Sequence, residues 1–297
     1  MIIGDNKDKV IQNIRQALID GDLNRKVEVD DPNLSAEEQE EIIKEYLEDH
    51  KKISYKSKNE IARGIIAVAT KALHKDTEII GLENVKNIKT GAIITSNHFN
   101  PLDTTIIQKL IKKLGKRKLY IVTQVTNLAM DGVVGFMMNY SDTIPIDKNQ
   151  ANYMGRHFPN IIKERLNKKQ FILIYPEEEM WFNYRKPRTL KPGAYYFAAR
   201  NNVPVISCFT EMIDTDEEDS EEFYKVKYVL HVLPAIYPDP ELSPKENSII
   251  MMEKDYNQKK EAYEKAYGKK LTYSFEEEDI AGLINKKDFN KELSFTQ

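Results

Sequence analysis

Short apolar runs alternate with segments of helical periodicity along most of the chain after residue 77. Five of these runs have the length and β-branched content of strands, and they occupy residues 92–96, 119–124, 143–147, 171–175 and 203–209. The run at 171–175 is apolar throughout, which is typical of a strand buried on both faces of a parallel sheet. The alternation predicts an α/β fold, with a mostly parallel central sheet flanked by helices.

The first 75 residues have helical periodicity instead, and they predict an N-terminal helical appendage. Apolar residues recur every three or four positions from Lys9 to Ile19, and Ser35 with Glu38 forms a capping box before a second helix. A similar box at Ser243 begins a late polar helix. We therefore divide the chain into three regions: an N-terminal helical region at 1–75, an α/β core at 76–240 and a C-terminal helical extension at 241–297.

Charge is distributed unevenly along these regions. Residues 51–75 contain seven lysines or arginines but one acidic residue, Glu60, and they enclose an apolar centre. Such a segment either lies in a membrane interface or packs on the core with a solvated basic face, and the pattern leaves both open. The acidic block at 214–222 is predicted to be a solvated loop.

Composition restricts the range of partners. The chain has 297 residues and a formal net charge of −3, so no global basic field favours nucleic acid. Its single cysteine, Cys208, lies in an apolar run and is expected to be buried in a protein of a reducing compartment. We expect no signal peptide and no membrane span, because no run approaches the roughly 20 apolar residues that cross a bilayer.

The most informative chemistry follows the run at 92–96. His98 comes two residues after it, and Asp103 follows a turn predicted at Asn100 and Pro101, which can fold the carboxylate back onto the imidazole. A histidine held by a carboxylate is a general base for a substrate hydroxyl. The same pair is also common as a structural hydrogen bond, so the spacing alone leaves both roles open.

Four ordered stretches resemble the motifs of the glycerolipid acyltransferases, the family of 1-acylglycerol-3-phosphate acyltransferase. They are NHFNPLD at 97–103, TIPIDK at 143–148, YPEEE at 175–179 and VPVI at 203–206. The resemblance covers about residues 78 to 237. It implies a glycerol-3-phosphate acyltransferase-like fold for the α/β region.

The resemblance also implies roles for individual residues. His98 would be the base and Asp103 its orienting carboxylate, with no covalent acyl-enzyme, no cofactor and no metal. The acyl donor would be acyl-coenzyme A or an acyl carrier protein. Supporting positions of the motifs are Asn97, Pro101, Pro176 and Pro204.

The substrate-binding positions depart from the family pattern in two places. Lys148 occupies the position of the arginine that usually holds the acceptor phosphate, and Glu178 replaces a glycine that follows the matching Glu177. The added negative charge would repel a phosphate unless Arg185, Lys186 and Arg188 turn inward. We therefore predict Lys148, Glu177, Arg185 and Arg188 as substrate-binding residues.

The expected function is transfer of an acyl group to the hydroxyl of a lysophospholipid, with 1-acylglycerol-3-phosphate as the acceptor that the resemblance implies. The protein would act from the cytoplasm, as a peripheral protein on the inner face of the membrane. The alternatives are a different lipid acceptor, an inactive lipid-binding protein, and a metal-dependent hydrolase that uses His98, Asp103 and Glu177 as ligands.

Overall fold

A computed structural model describes residues 6–29, 32–115 and 118–284. Within these residues seven strands form one sheet in the order β1-β7-β6-β2-β5-β3-β4. The strands are β1 (Glu78–Ile80), β2 (Ala92–Thr95), β3 (Leu119–Gln124), β4 (Thr143–Ile146), β5 (Phe171–Leu173), β6 (Val205–Glu218) and β7 (Tyr224–Val232). All neighbouring strands are parallel except β6 and β7, which are antiparallel. The predicted α/β fold is confirmed.

The central strands are buried on both faces. Ala92 and Ile94 of β2 pack in one hydrophobic cluster, whereas Ile93 between them packs in another on the opposite face. Successive side chains of a strand point to opposite faces, so a strand covered on both sides must be apolar at every position. The continuous run in β5, which pairs with β2 and β3, follows the same rule.

Helices cover both faces of this sheet. The helices of the described residues are α1 (Lys7–Ile19), α2 (Ala36–Asp49), α3 (Ile53–Leu73), α4 (Thr104–Lys113), α5 (Gly132–Tyr140), α6 (Phe158–Asn167), α7 (Gly193–Arg200) and α8 (Pro244–Tyr267). Ile106 and Leu110 of α4 pack on the face of Ile94, and Ile162 of α6 packs on the face of Ile93. The sheet therefore lies between two helical layers.

The terminal regions share hydrophobic clusters with the central one. Ile11 and Ile14 of α1 pack against Trp181 and Ile280, and both predicted capping boxes, at Ser35 and Ser243, are present. The boundaries at 75 and 240 therefore remain a division predicted from the sequence. Residues 285–297 of the C-terminal extension lie outside the described residues.

The prediction of a loop at 214–222 was wrong for its first half. Strand β6 continues to Glu218 and pairs with β7 in an antiparallel ribbon. Lys225 of β7 donates to Glu217 at 2.8 Å, and Thr215 donates to the Lys225 carbonyl at 2.9 Å. Solvent-exposed acidic side chains are compatible with a strand when the partner strand supplies cations and backbone hydrogen bonds.

Segment 51–75 forms helix α3, which is only partly covered by the rest of the protein. Tyr55, Asn59 and Ala62 are buried, and the Asn59 amide donates to the Tyr140 carbonyl at the end of α5 at 2.8 Å. Its outer face exposes several large apolar side chains: Ile53, Ile61, Ile65, Val68 and Leu73. Among the described residues, no helix is long and apolar enough to cross a membrane.

Candidate active site

The loop after β2 is held firmly to its neighbours. The Asn97 side chain donates to the Thr210 carbonyl of β6 at 3.1 Å and accepts the Thr210 N–H at 2.8 Å. The N–H groups of Trp181 and Asn183 donate to the carbonyls of His98 and Phe99, at 3.1 and 2.8 Å. These bonds hold the loop between β6 and the segment that follows β5.

The predicted turn at Asn100 and Pro101 is present. The Asn100 side chain accepts the Leu102 N–H at 3.0 Å, and the Asp103 N–H donates to the Asn100 carbonyl at 3.0 Å. An Asx turn of this kind reverses the chain within a few residues. It places Asp103 Oδ2 at 2.8 Å from Nδ1 of His98.

The geometry sets the protonation pattern of this dyad. An ionised Asp103 can only accept, so Nδ1 of His98 carries a hydrogen and the lone pair lies on Nε2. Asp103 Oδ2 also accepts the N–H groups of Phe99 and Asn100, at 3.0 and 3.4 Å. The His98 side chain is 21% exposed and that of Asp103 only 3%. A ligand can therefore reach the imidazole while the carboxylate stays covered.

Tyr175 contacts both members of the dyad. Its hydroxyl donates to Asp103 Oδ1 at 2.5 Å, and its ring stacks on the imidazole of His98 with 3.9 Å between centroids. Burial and the nearby Asp103 carboxylate raise the pKa of Tyr175 well above its usual value, so the phenol remains a donor. Tyr175 is the first residue of the YPEEE stretch, and the sequence alone assigns it no role. The only indication of a role in the sequence is its hydroxyl group at the end of an apolar run.

Residues 76–211 match the family model described as Acyltransferase, and this range contains His98, Asp103 and Tyr175. Residues 76–211 thus form an Acyltransferase domain. A comparison with curated proteins found no match. The chain also resembles the crystal structure of PlsC, the 1-acyl-sn-glycerophosphate (LPA) acyltransferase from Thermotoga maritima, at 15% identity and a TM-score of 0.46, over 73% of this chain and 81% of that one.

In this acyltransferase, two predicted substrate-binding residues form a buried ion pair. Arg188 Nη2 lies 2.9 Å from Glu177 Oε2, with side chains 1% and 2% exposed. Glu177 also accepts the N–H groups of His98 and Arg188, at 3.3 and 2.9 Å, while Arg188 donates to the Leu23 carbonyl at 3.1 Å. The pair thus joins the His98 loop to the segment that follows α1, and its role in substrate binding stays a prediction.

Arg185 is also engaged within the protein. It donates from Nε to the Glu278 carbonyl at 2.8 Å and from Nη2 to Asp214 Oδ1 at 2.5 Å, and it bonds the Met212 carbonyl as well. Lys186 pairs with Asp279 at 2.7 Å, and both side chains are buried. The inward turn expected of these cations is present, but it is directed at acidic and carbonyl groups of the protein. Substrate binding by Arg185 remains a prediction.

Lys148 is the exposed member of the predicted set. Its ammonium lies 2.7 Å from Glu178 Oε1, with side chains 62% and 29% exposed. This contact joins the residues that follow β4 and β5, both at the edge of the sheet where His98 follows β2. Lys148 and Glu178 therefore face solvent together, unlike Arg185 and Arg188.

The supporting prolines lie where their motifs predict them. Pro101 lies in the turn between His98 and Asp103, the Pro176 carbonyl accepts the Lys191 N–H at 2.8 Å, and the Pro204 carbonyl accepts the Ile93 N–H at 3.1 Å. Each proline thus lies at a strand end or in a turn, positions that tolerate a missing N–H donor. No group of three or more potential metal ligands occurs in the described part of the chain.

Proposed function

We propose that this acyltransferase moves an acyl group from a thioester donor, acyl-coenzyme A or an acyl carrier protein, to the hydroxyl of a lysophospholipid. The observation that supports this proposal is the His98–Asp103 dyad, with 2.8 Å between Nδ1 and Oδ2 and a partly exposed imidazole. 1-Acylglycerol-3-phosphate is the example of such an acceptor that the family resemblance implies.

In the proposed reaction, Nε2 of His98 takes the proton of the acceptor hydroxyl as its oxygen attacks the thioester carbonyl. The C–S bond of the tetrahedral intermediate then breaks, and the imidazolium returns the proton to the thiolate. The products are an ester and a free thiol. Asp103 stabilises the imidazolium, and Tyr175 with the Phe99 N–H holds the carboxylate in place.

Thiol release from the donor in the presence of mixed lysophospholipids tests this mechanism. His98→Ala should lower the rate by about 10²–10⁴-fold, because general-base assistance has that size. Asp103→Asn should be similarly damaging, since it favours the wrong tautomer of His98. His157→Ala, outside the site, is the matched control and should retain activity. A folded His98→Ala protein with near-normal thiol release would rule out His98 as the base, and no thiol release by the wild type would favour an inactive lipid-binding protein.

We also propose that the protein binds the inner face of the membrane peripherally through α3. Ile61, Ile65 and Val68 form an exposed stripe at helical spacing, and Val133 and Val134 of the neighbouring α5 are exposed too. The surrounding lysines would be attracted to anionic lipid, at about 1 kcal/mol each. Burying such a stripe in the headgroup region would bring a lipid acceptor to the protein surface.

Flotation with vesicles that contain anionic phospholipid tests this attachment. The replacement of Ile61, Ile65 and Val68 by serine should weaken vesicle binding without unfolding the protein, because all three side chains are exposed. The matched control replaces exposed apolar residues elsewhere: Ile213, Ile249 and Ile250. Equal loss of binding in both triple variants, or no loss in either, would contradict a role for α3. Salt should weaken wild-type binding, because surface attraction is screened over about 8 Å at physiological ionic strength.

A further inference from the structure

Glu178 adopts a backbone conformation that favours glycine. Its φ angle is 65°, in the left-handed region that residues with a Cβ rarely occupy. The Glu178 N–H donates to the Tyr175 carbonyl at 3.1 Å, so the residue completes the tight turn directly after the tyrosine that holds the dyad. A non-glycine residue kept in such a conformation at a candidate active site suggests that its side chain has a function.

The Glu178 carboxylate forms an ion pair with Lys148, which comes from a different part of the sheet. β5, which Glu178 follows, is adjacent to β2 and therefore to the His98 loop, about 4.8 Å away in strand spacing. Lys148 follows β4, which is two strands beyond β5, and its side chain reaches back to place Nζ 2.7 Å from Glu178 Oε1. One positive and one negative group thus lie side by side at the edge of the sheet where the His98 loop also lies.

We infer that Lys148 and Glu178 together form a headgroup site that favours a zwitterionic lysophospholipid, with one phosphate and one ammonium group, over a lysolipid that ends in a phosphate monoester. This inference rests on the proposed transfer to lysophospholipids and concerns the headgroup of the acceptor. Lys148 would bind the phosphate as a point charge, and Glu178 would bind the ammonium. An exposed ion pair is weak, so a ligand that offers both opposite charges can replace it at little cost.

A phosphate monoester is disfavoured by the same pair. It carries close to two negative charges near neutral pH. When the Lys148 ammonium binds this phosphate, the neighbouring Glu178 carboxylate repels it. The cations that follow Glu178 in the chain do not offset this repulsion, because Arg185, Lys186 and Arg188 are paired with Asp214, Asp279 and Glu177. The Glu178 carboxylate therefore disfavours an acceptor that carries an extra negative charge.

The experiment compares two acceptors with the same acyl chain, 1-acylglycerol-3-phosphate and 1-acylglycerol-3-phosphoethanolamine, by thiol release from one donor. The wild type should have the higher kcat/KM for the phosphoethanolamine acceptor. Glu178→Gln and Glu178→Gly should both lower the ratio of the two kcat/KM values, by up to about fivefold, which is the size expected for one exposed charge pair. Glu253→Gln, which removes an exposed carboxylate on α8, is the matched control and should leave the ratio unchanged.

The possible failures can be told apart. A wild-type preference for the phosphate monoester, or a ratio that Glu178→Gln does not alter, would overturn the inference while leaving the acyl transfer intact. A change with Glu178→Gly alone would assign the effect to backbone space and would also overturn the role of the charge. Absence of thiol release with every lysolipid would instead refute the proposed function itself.

Discussion

The buried pair of Glu177 and Arg188 permits a decisive test of structural against substrate-binding roles. Replacement of Arg188 by leucine would leave the Glu177 carboxylate in a site where both side chains are at most 2% exposed. Burial lowers the pKa of the Arg188 guanidinium, whereas the Glu177 carboxylate raises it, so each charge depends on the other for compensation. Removal of one partner of a buried ion pair costs about 3–5 kcal/mol, and we expect Arg188→Leu to lower the free energy of unfolding by roughly that amount.

Urea unfolding followed by tryptophan fluorescence is a suitable assay. The chain has a single tryptophan, Trp181, and the Arg188 guanidinium lies 4.5 Å from its ring centroid, so the probe reports on the same site. The double variant Glu177→Leu, Arg188→Leu should recover part of the lost stability, because no uncompensated charge then remains. Arg200→Leu, at an exposed position, is the control and should change the free energy of unfolding by less than about 0.5 kcal/mol.

The opposite result would refute this reasoning. If Arg188→Leu unfolds at the wild-type urea concentration but raises the KM for the acceptor, Arg188 binds substrate as the sequence predicts. The buried pair seen in the structure would then not determine the role of Arg188.

Three further predictions follow from buried groups. Tyr175→Phe keeps the ring stacked on His98 but removes the donor to Asp103, so the free energy of unfolding should fall by roughly 1.5–3 kcal/mol and kcat should fall as well; an unchanged kcat would contradict a positioning role. Burial lowers the pKa of His74 to about 4, below its usual 6.5, so the unfolded chain binds the proton more readily. Stability should therefore be lost as pH falls from about 6.5 to 4, by about 3 kcal/mol, and His74→Gln should lack this loss in urea titrations at both pH values. Burial raises the pKa of Cys208 to about 12, and a thiol reagent should label it in urea but not in the native protein; rapid native labelling would show that the site opens.

Local features of this protein were determined by the sequence itself. The turn at Asn100 and Pro101 needs only neighbouring atoms, and it brings Asp103 onto His98 as predicted. The capping boxes at Ser35 and Ser243 form between residues three positions apart. The apolar run of β5 predicted a central strand, because a strand that is apolar at every position is stable only when both of its faces are buried. In each case the interacting groups are close in the chain, or the feature follows from a short pattern of apolar residues.

Only the tertiary structure decided which distant groups meet. Arg185 pairs with Asp214 and Lys186 with Asp279, at separations of 29 and 93 residues, so their charges in the sequence did not reveal that they bind inside the protein. The contact of Tyr175 with Asp103, 72 residues apart, depends on β5 lying beside β2. The acidic stretch of β6 became a strand because β7 supplied its hydrogen bonds. Strand order sets the contact of Tyr175 and the pairing of β6, and a local pattern carries no information about which strand will lie next to which.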